Sequence, residues 1–387
     1  MVLWSVHVAI AIGVALLGGC GRLGFEPTEE RINHSTLRVS APTVTTCNRV
    51  LITLTSRDEG GEVITAGGDR VALALADGTS AGTLSPVTDH GDGSYGALFT
   101  GTLAGSPVEL FATVNDEVVE DRPLLQVEDE VVPTSGLLFM LDAARADGSG
   151  GCAEPAGSGW TDIIGDRAGT FFGIADPSCG TDSGWCGIGL VDDPFRLTFD
   201  GSDDFVDFGP KVATSEFTVA AWIRPRAGGV LTTTGTGGID LEPIVSKGAA
   251  DVEVSDKDTN YVVGLTATGL VGTDLERDGD SVNQPQLGGR PVADDAWHHV
   301  AVAYDRAVRR IYVDGVLDQQ MPLTETPAAA TLSRLCVGTA RKFDLTPRGQ
   351  FRGDIAIVQI YDHALADIDL RDVCRSEARR FAGASCP

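Results

Sequence analysis

The sequence predicts an all-β protein made of two consecutive β-sandwiches. Apolar and polar residues alternate with a period of two in short runs such as 217–225, and this is the period of a strand with at least one packed face. The 48 glycines and 18 prolines suit turn-rich β structure rather than long helices. At 387 residues the chain is too long for one typical domain, so two are expected.

The chain is strongly acidic. It has 55 Asp and Glu residues against 29 Lys and Arg residues, which gives a formal net charge of -26. This charge disfavours nucleic acids and anionic membrane surfaces as partners, because both would repel it. It also provides many carboxylate oxygens that could bind calcium.

The first residues are predicted to be an export signal rather than part of the fold. Residues 6–17 are apolar but too few to span a bilayer. They lead into Leu17-Gly18-Gly19-Cys20, which resembles the lipobox of bacterial lipoproteins. The resemblance implies a signal peptide at 1–19, acylation of Cys20 and, because Gly21 follows it, sorting to the outer membrane. The alternatives are an unlipidated, cleaved signal peptide or a buried segment with an unrelated cysteine.

A short polar tether at 20–34 is expected to precede the first folded domain, which covers 35–127. Clear alternating strands without helices are predicted there at 50–55, 71–75, 95–99 and 108–114. Short strands at this spacing are typical of a β-sandwich.

The turn Asp89-His-Gly-Asp-Gly-Ser-Tyr95 carries a family resemblance. It is similar to a turn shared by the bacterial Ig-like domains of the invasin and intimin type and by filamin repeats, which implies an Ig-like sandwich. Gly91 and Gly93 permit left-handed backbone, while Asp89 and Asp92 can accept hydrogen bonds from turn amides. Calcium binding by these aspartates is the less favoured alternative.

An acidic linker with a proline at 128–135 separates this domain from the second, which covers 136–387. Further strands are predicted at 300–304 and 311–313, and Asp314-Gly315 suits a two-residue hairpin turn. A short helix is expected from residue 367 to about residue 380, with Ile368 and Val373 facing inward. Three insertions are predicted to be loops, which at such lengths are usually functional or mobile: 226–241, 249–260 and 269–295.

The second domain resembles the LamG-like family of concanavalin A-like jelly rolls. The resemblance rests on Phe199-Asp-Gly-Ser-Asp-Asp-Phe-Val-Asp-Phe208, Trp297-His-His-Val300, the run 353–362 and the lead-in Trp160-Thr-Asp-Ile-Ile-Gly165. It covers about 136–375 and implies a jelly-roll β-sandwich that binds a glycan or a protein.

Calcium is the one cofactor that the resemblance implies, since LamG-like and pentraxin domains often hold this ion at the rim. Asp200, Asp203 and Asp204 offer three carboxylates within one turn, and Asp354 begins the last strand. These four residues are the candidate metal ligands. The alternative is a solvated acidic hairpin in which Asp354 caps a strand.

Eight cysteines indicate an oxidising compartment. If Cys20 is acylated, an odd number remains, so one thiol is unpaired or intermolecular. Close spacing favours Cys179–Cys186 and Cys374–Cys386, which would leave Cys152–Cys336 as the third bridge and Cys47 as the odd thiol. Other connectivities stay open, and the six cysteines of the second half are the candidates: Cys152, Cys179, Cys186, Cys336, Cys374 and Cys386.

No catalytic residues are predicted. Retaining glucanases of the concanavalin A-like fold carry two carboxylates on one face of a strand, and no run of this sequence has that motif. His298 and His299 are adjacent on a predicted strand and therefore face opposite sides, so a structural role is expected for both.

The leading interpretation is a non-enzymatic lipoprotein of the bacterial outer membrane whose jelly roll binds a glycan or a protein through its rim loops. The insertions are poor in aromatic residues, with Tyr261 the nearest candidate for a sugar platform, and this favours a protein partner. The alternatives are a structural or adhesive envelope component and, less favoured, a glycan hydrolase.

Overall fold

The computed structural model describes residues 33–248, 258–329, 332–341 and 346–387. These residues form two consecutive all-β sandwiches, and α1 (Asp367–Glu377) is the one α-helix among them. Among the described residues no helix has the length and apolar character that crossing a membrane requires. Cys20 and the predicted signal peptide lie outside the described residues.

The first sandwich contains ten strands in two sheets. One sheet has the order β1-β3-β7-β5 with β6 added to β7, and the other has the order β2-β10-β8-β4 with β9 added to β8. The strands are β1 (Thr36–Val39), β2 (Thr43–Thr45), β3 (Arg49–Thr55), β4 (Val71–Ala76), β5 (Ala81–Leu84), β6 (Thr88–Asp89), β7 (Ser94–Leu103), β8 (Val108–Val114), β9 (Glu117–Val118) and β10 (Leu124–Glu128).

Alternation explains how this sandwich packs. Buried and partly exposed residues alternate strictly along β8, so that one face of the strand enters the core. Phe99, Leu110 and Leu125 meet there with no exposed surface. At the predicted turn, Asp89 Oδ1 accepts a hydrogen bond from the Gly91 amide at 2.8 Å, which supports the structural role.

The second sandwich contains an eight-stranded and a nine-stranded sheet. The eight-stranded sheet has the order β14-β15-β29-β17-β23-β24-β25, with β11 added to β29. Its strands are β11 (Leu137–Asp142), β14 (Gly184–Cys186), β15 (Arg196–Asp200), β17 (Phe217–Pro225), β23 (His298–Tyr304), β24 (Val308–Val313), β25 (Val316–Pro322) and β29 (Arg352–Tyr361).

The nine-stranded sheet has the order β12-β13-β16-β26-β19-β20-β21-β22, with β18 added to β19. Its strands are β12 (Gly159–Thr161), β13 (Ala168–Phe172), β16 (Phe205–Asp207), β18 (Thr232–Thr233), β19 (Asp240–Lys247), β20 (Tyr261–Leu265), β21 (Leu270–Asp274), β22 (Gln286–Pro291) and β26 (Leu335–Val337). Two further strands, β27 (Ala340–Arg341) and β28 (Pro347–Arg348), pair with each other beside it.

Two expectations about the insertions and the helix are wrong. Residues 269–295 are not one continuous loop, because they contain the paired strands β21 and β22, and Val271 and Leu275 are buried in the core. In α1 the inward face carries Leu370, Val373 and Cys374, whereas Ile368 is 53% exposed. Positions 370, 373 and 374 share one side of an α-helix, and 368 lies nearly opposite 370.

Trp222 and Trp297 are buried on the outer face of the eight-stranded sheet. The segment that follows α1 covers them there. Phe381 lies between the two indoles, with ring centroids 4.5 Å from Trp222 and 4.6 Å from Trp297.

The disulfide prediction is correct for two pairs and wrong for the third. Cys179–Cys186 and Cys374–Cys386 form as expected. Cys152 instead pairs with Cys47, with 4.7 Å between their Cα atoms. Cys336 is the free thiol among the described cysteines, because it lies fully buried in the middle of β26 and Cys152 is bonded to Cys47.

The Cys47–Cys152 disulfide joins the two sandwiches, and polar contacts surround it. The Arg49 amide donates to the Gly189 carbonyl at 2.8 Å, and the Arg49 guanidinium pairs with Glu154 at 2.7 Å. The described chain begins at the opposite end of the first sandwich, where Asn33 bridges to Val119.

Candidate ligand-binding site

The acidic turn between β15 and β16 brings three of the predicted metal ligands together. The hairpin reverses at Gly201, which has a φ of 78°, and Asp200 Oδ1 accepts a hydrogen bond from the Ser202 amide at 2.7 Å. Asp204 Oδ2 accepts a hydrogen bond from the Asp200 amide at 2.9 Å. Carboxylate oxygens of Asp200, Asp203 and Asp204 therefore lie within 4.8 Å of one another.

This turn concentrates negative charge. None of the three carboxylates forms an ion pair with a described Arg or Lys, and Asp204 is only 1% exposed. Burial raises the pKa of Asp204 to about 6, and the neighbouring charges of Asp200 and Asp203 add to the rise, whereas hydrogen bonds from Ser183 and the Asp200 amide oppose it. The Asp204 carboxylate is thus buried from water and has no positively charged partner among the described residues.

Asp354, the fourth predicted ligand, does not join this group. Its carboxylate has no exposed surface, and Oδ2 lies 2.5 Å from Arg224 Nη2 and 3.0 Å from Arg226 Nη2. Oδ1 accepts a hydrogen bond from Thr198 Oγ1 at 2.7 Å. Arg196 Nε lies 3.6 Å from Oδ1 as well. Because three guanidinium groups already neutralise it, Asp354 holds strands together and is removed from the predicted metal set.

A groove of about 610 Å³ at the rim of the second sandwich adjoins the acidic turn. Three segments line it: Ser202 and Asp203 from the turn, the run 230–233, and the run 347–350. Reciprocal backbone hydrogen bonds of 2.8 Å between Val230 and Gln350 join the second and third segments at one end. Asp203 belongs both to the acidic turn and to the groove wall, so the two features form one candidate site.

The groove combines apolar and polar surface. Val230 and Leu231 are 47% and 38% exposed, which is high for large aliphatic side chains. Ser202, Thr232 and Thr233 contribute hydroxyl groups, and Arg348 contributes a guanidinium. No lining residue is aromatic, and the predicted platform Tyr261 is fully buried, with its hydroxyl donating to the Val212 carbonyl at 2.8 Å.

Glu242 lies directly behind the groove wall. A Cβ atom on Gly229 would come within 2.3 Å of Glu242 Oε2 and 2.5 Å of the Gln350 carbonyl oxygen, so only glycine lets the wall approach this carboxylate. Burial raises the pKa of Glu242 to about 7, although a hydrogen bond from the Arg352 backbone opposes the shift. Glu242 therefore changes charge near neutral pH, a property that its place in the sequence did not reveal.

Two of the three segments that line the groove were predictable from the sequence. The acidic turn was predicted by its carboxylate spacing, and 230–233 lies in the first of the predicted insertions. The third wall was missed, although Pro347 and Gly349 mark a turn there. Of the other insertions, 269–295 does not line the groove, and most of 249–260 lies outside the described residues.

The two histidines occupy separate environments. His298 lies between two carboxylates, with Nδ1 3.1 Å from Asp314 Oδ2 and Nε2 3.0 Å from Asp294 Oδ1. His299 is buried beside Trp222, and burial lowers its pKa to about 4, so the ring stays neutral. Neither residue is among those that line the groove.

Comparison with known families agrees with the two resemblances. Residues 200–370 match the family model of the concanavalin A-like lectin/glucanases superfamily, and this range includes the acidic turn and the groove. Residues 32–126 match the model of invasin, domain 3. No curated protein matches the chain.

Several solved structures are similar to parts of the chain. Domain 4 of an extracellular arabinanase from Geobacillus stearothermophilus, in complex with arabinotriose, is 16% identical with a TM-score of 0.40, over 62% of this chain and 98% of that one. A sialidase carbohydrate-binding module from Ruminococcus gnavus, bound to α2,3-sialyllactose, is 15% identical with a TM-score of 0.34, over 41% and 82% of the two chains. The receptor-binding domain of botulinum neurotoxin D is 14% identical with a TM-score of 0.38, over 62% and 52%.

Proposed function

Because residues 200–370 match the concanavalin A-like lectin/glucanases model, we propose that this protein is a non-catalytic binding protein whose rim groove binds a glycan. The observation that carries the proposal is the position of Asp203, which is shared between the acidic turn and the groove wall. A ligand in the groove would therefore meet the carboxylates directly.

The acidic turn fits a calcium ion. Calcium prefers carboxylate and carbonyl oxygens, and three carboxylates that no described Arg or Lys neutralises would gain from a cation. Asp200, Asp203 and Asp204 would hold the ion, and when bound it would supply coordination positions for hydroxyl groups of the ligand. The same turn also orders its own backbone through the Asp200 and Asp204 hydrogen bonds, so the groove wall keeps its shape.

The remaining groove residues suit a hydroxyl-rich ligand with apolar faces. Hydroxyl groups both donate and accept hydrogen bonds, which matches the mixture of Ser202, Thr232 and Thr233 hydroxyls with the Arg348 guanidinium. Val230 and Leu231 offer apolar contact to the carbon–hydrogen face of a sugar ring. A protein ligand is the second candidate, favoured by these two exposed aliphatic side chains and by the lack of an aromatic platform.

The protein is proposed to reach its ligand from the outer membrane, anchored through an acylated Cys20. The lipobox-like sequence supports this proposal, as do the three disulfides, which suit an oxidising compartment. Intact-mass measurement of the exported protein should show a diacylated or triacylated Cys20 at a new N-terminus. An unmodified N-terminus at another residue would contradict the anchor.

A glycan array with and without calcium tests the binding proposal. We expect the purified protein to bind one glycan class, and the variant Asp203→Asn to lose at least tenfold in affinity, because it removes charge from both turn and groove. Asp278→Asn is the matched control, since it changes an exposed aspartate of the same domain outside the groove. Unchanged affinity of Asp203→Asn would contradict the groove as the site, and binding to proteins alone would favour the second candidate.

A further inference from the structure

Residues 376–387, which are the end of α1 and the chain after it, are here called the C-terminal segment, and they contact the linker between the two domains. Arg379 pairs with Glu128 at the end of β10, and Arg380 Nη1 lies 3.4 Å from Glu130 Oε1 in the linker. The Val131 amide donates to Ser376 Oγ at 3.0 Å. The C-terminal segment therefore fastens the linker to the second sandwich.

Beneath these contacts lies a group of charges that is buried except for the partly exposed Arg145 and is here called the junction cluster: Glu130, Asp142, Glu377, Arg145 and Arg380. The side chains of Glu130, Asp142 and Arg380 are 3%, 1% and 0% exposed, and Glu377 has no exposed surface. Three carboxylates face two guanidinium groups, so full ionisation would leave one uncompensated negative charge away from water. Such a charge is costly in a protein interior, and the cheapest remedy is a bound proton.

Glu377 is the carboxylate of the junction cluster that forms no ion pair with a described guanidinium group, so we place this proton on it, while burial also raises the pKa of Glu130. The Arg380 guanidinium forms ion pairs with Asp142, at 2.7 Å, and with Glu130. Glu377 instead accepts hydrogen bonds from two neutral donors, Trp222 Nε1 at 2.8 Å and Gln359 Nε2 at 2.7 Å.

Titratable and charged groups face Glu377 from each element packed against it. They are the Tyr361 phenol of β29, Glu130 of the linker, Asp142 and Arg145 around the end of β11, and Arg380 of the C-terminal segment. Burial raises the pKa of Glu377 to about 8, with a further rise from the Glu130 charge, while the Arg380 charge and the Trp222 hydrogen bond oppose the shift.

We propose that a proton held on Glu377 locks the C-terminal segment against the interdomain linker, and that its loss in alkaline solution releases this segment. The Cys47–Cys152 disulfide keeps the two sandwiches joined in both states. Loss of the proton therefore lets the linker and the C-terminal segment move apart, while the two domains stay joined.

The direction of the effect follows from proton linkage. In the closed state the C-terminal segment contacts the linker, and in the open state it does not. At pH values between the ordinary pKa of a glutamic acid and the raised pKa of about 8, the closed state binds one proton more than the open state. The equilibrium for opening should therefore rise up to about tenfold per pH unit within that window and level off above it.

Hydrogen exchange on the whole protein tests this proposal. Protection factors are measured at about pH 6 to 9 for the Val131 amide, which donates to Ser376, and for the Ala382 amide, which donates to the Val191 carbonyl at 2.8 Å. In the unmodified protein both should fall with rising pH and level off above about pH 8. In Glu377→Gln, which keeps an uncharged acceptor, they should stay constant over this range.

Glu120→Gln is the control, because it changes an exposed glutamate of the first sandwich and should follow the unmodified protein. A fall in Glu377→Gln equal to that of the unmodified protein would overturn the proposal. Should Glu377→Gln fail to fold, the Trp222 indole proton of the unmodified protein gives a second reading by NMR. A titration of that proton near pH 8 supports the lock, and a constant shift from about pH 6 to 9.5 overturns it.

Discussion

At the scale of single residues, ion pairing distinguishes structural aspartates from candidate binding aspartates. An aspartate that is paired with arginines has a structural role, and an unpaired one is a candidate for binding. Asp203 and Asp354 were both candidate metal ligands by sequence, Asp203 within an acidic turn and Asp354 at the start of the last strand. Asp354 contacts Arg224 and Arg226, whereas Asp203 is exposed in the groove wall. Those arginines are more than a hundred residues away in the chain, so no local pattern could have shown the pairing.

The two outer-face tryptophans should each be important for stability. Replacing Trp222 with Ala should lower the free energy of unfolding by roughly 3 to 5 kcal/mol, the usual range for a buried aromatic side chain. The change also removes one of the two hydrogen-bond donors to Glu377. Chemical denaturation measures the loss, and a wild-type midpoint for both Trp222→Ala and Trp297→Ala would contradict the described packing.

The contribution of His298 to the free energy of unfolding should decrease as pH rises. A carboxylate with a lowered pKa has the opposite effect, because its contribution is lost as pH falls. Burial tends to lower its pKa, but the hydrogen bonds and charges of Asp314 and Asp294 outweigh this and raise the pKa above its ordinary value. A raised histidine pKa contributes stability that is complete below the unfolded value and is lost as pH rises through the folded value.

Comparison of His298→Ala with the unmodified protein isolates this contribution. The difference in free energy of unfolding between the two proteins should be largest in mildly acidic solution and smallest in alkaline solution. Thermal melts over this range measure it. An equal difference at every pH would show that the two carboxylates do not bind the charged ring.

At the scale of elements, strand periodicity predicted most of the fold, and insertions were the main source of error. The alternation in 217–225 and 300–304 corresponds to β17 and β23, which pair from Phe217 opposite Tyr304 to Ile223 opposite His298. The run 269–295 looked like a loop because Gly and Asp are frequent in it, yet Val271 in β21 and Leu275 directly after β21 are buried in the core. Burial of a few separated apolar residues outweighed local composition there.

The groove wall at 230–233 should tolerate substitution better than any strand of the core. Replacing Val230 and Leu231 together with Ser should weaken ligand binding by about tenfold or more, while the melting temperature changes little, because both side chains are already partly exposed. Val282→Ser is the control, since Val282 is also exposed but lies outside the groove. A large drop in melting temperature would instead assign Val230 and Leu231 to the core.

At the scale of the whole molecule, sequence spacing could not predict the bridge between the domains. Cys47 and Cys152 are 105 residues apart, and their proximity depends on how two separately folded sandwiches meet. Local pairs such as Cys179–Cys186 are predictable because few residues separate them. Contacts such as Arg49–Glu154 arise from the same meeting of surfaces and were invisible for the same reason.

Removing that bridge should destabilise the protein without abolishing either fold. The chain-entropy model gives up to about 4 to 5 kcal/mol for a closed loop of roughly this length. The double variant Cys47→Ser, Cys152→Ser should therefore unfold at lower denaturant concentration, and X-ray scattering should show a wider distribution of interdomain distances. Unchanged scattering and stability would mean that the noncovalent contacts alone fix the two sandwiches.

If the N-terminus is anchored and the groove holds a ligand, as proposed, the bridge would also set the path of mechanical load between them. Tension would enter β1 at its distal end, load the antiparallel pair of β1 with β3, and leave through Cys47 into the second sandwich. Because the pull runs parallel to these strands, their hydrogen bonds resist it together in shear. The disulfide would carry this force covalently from one sandwich to the other. Force on the ligand would then not act through the linker at 128–135 or on the junction contacts of the C-terminal segment.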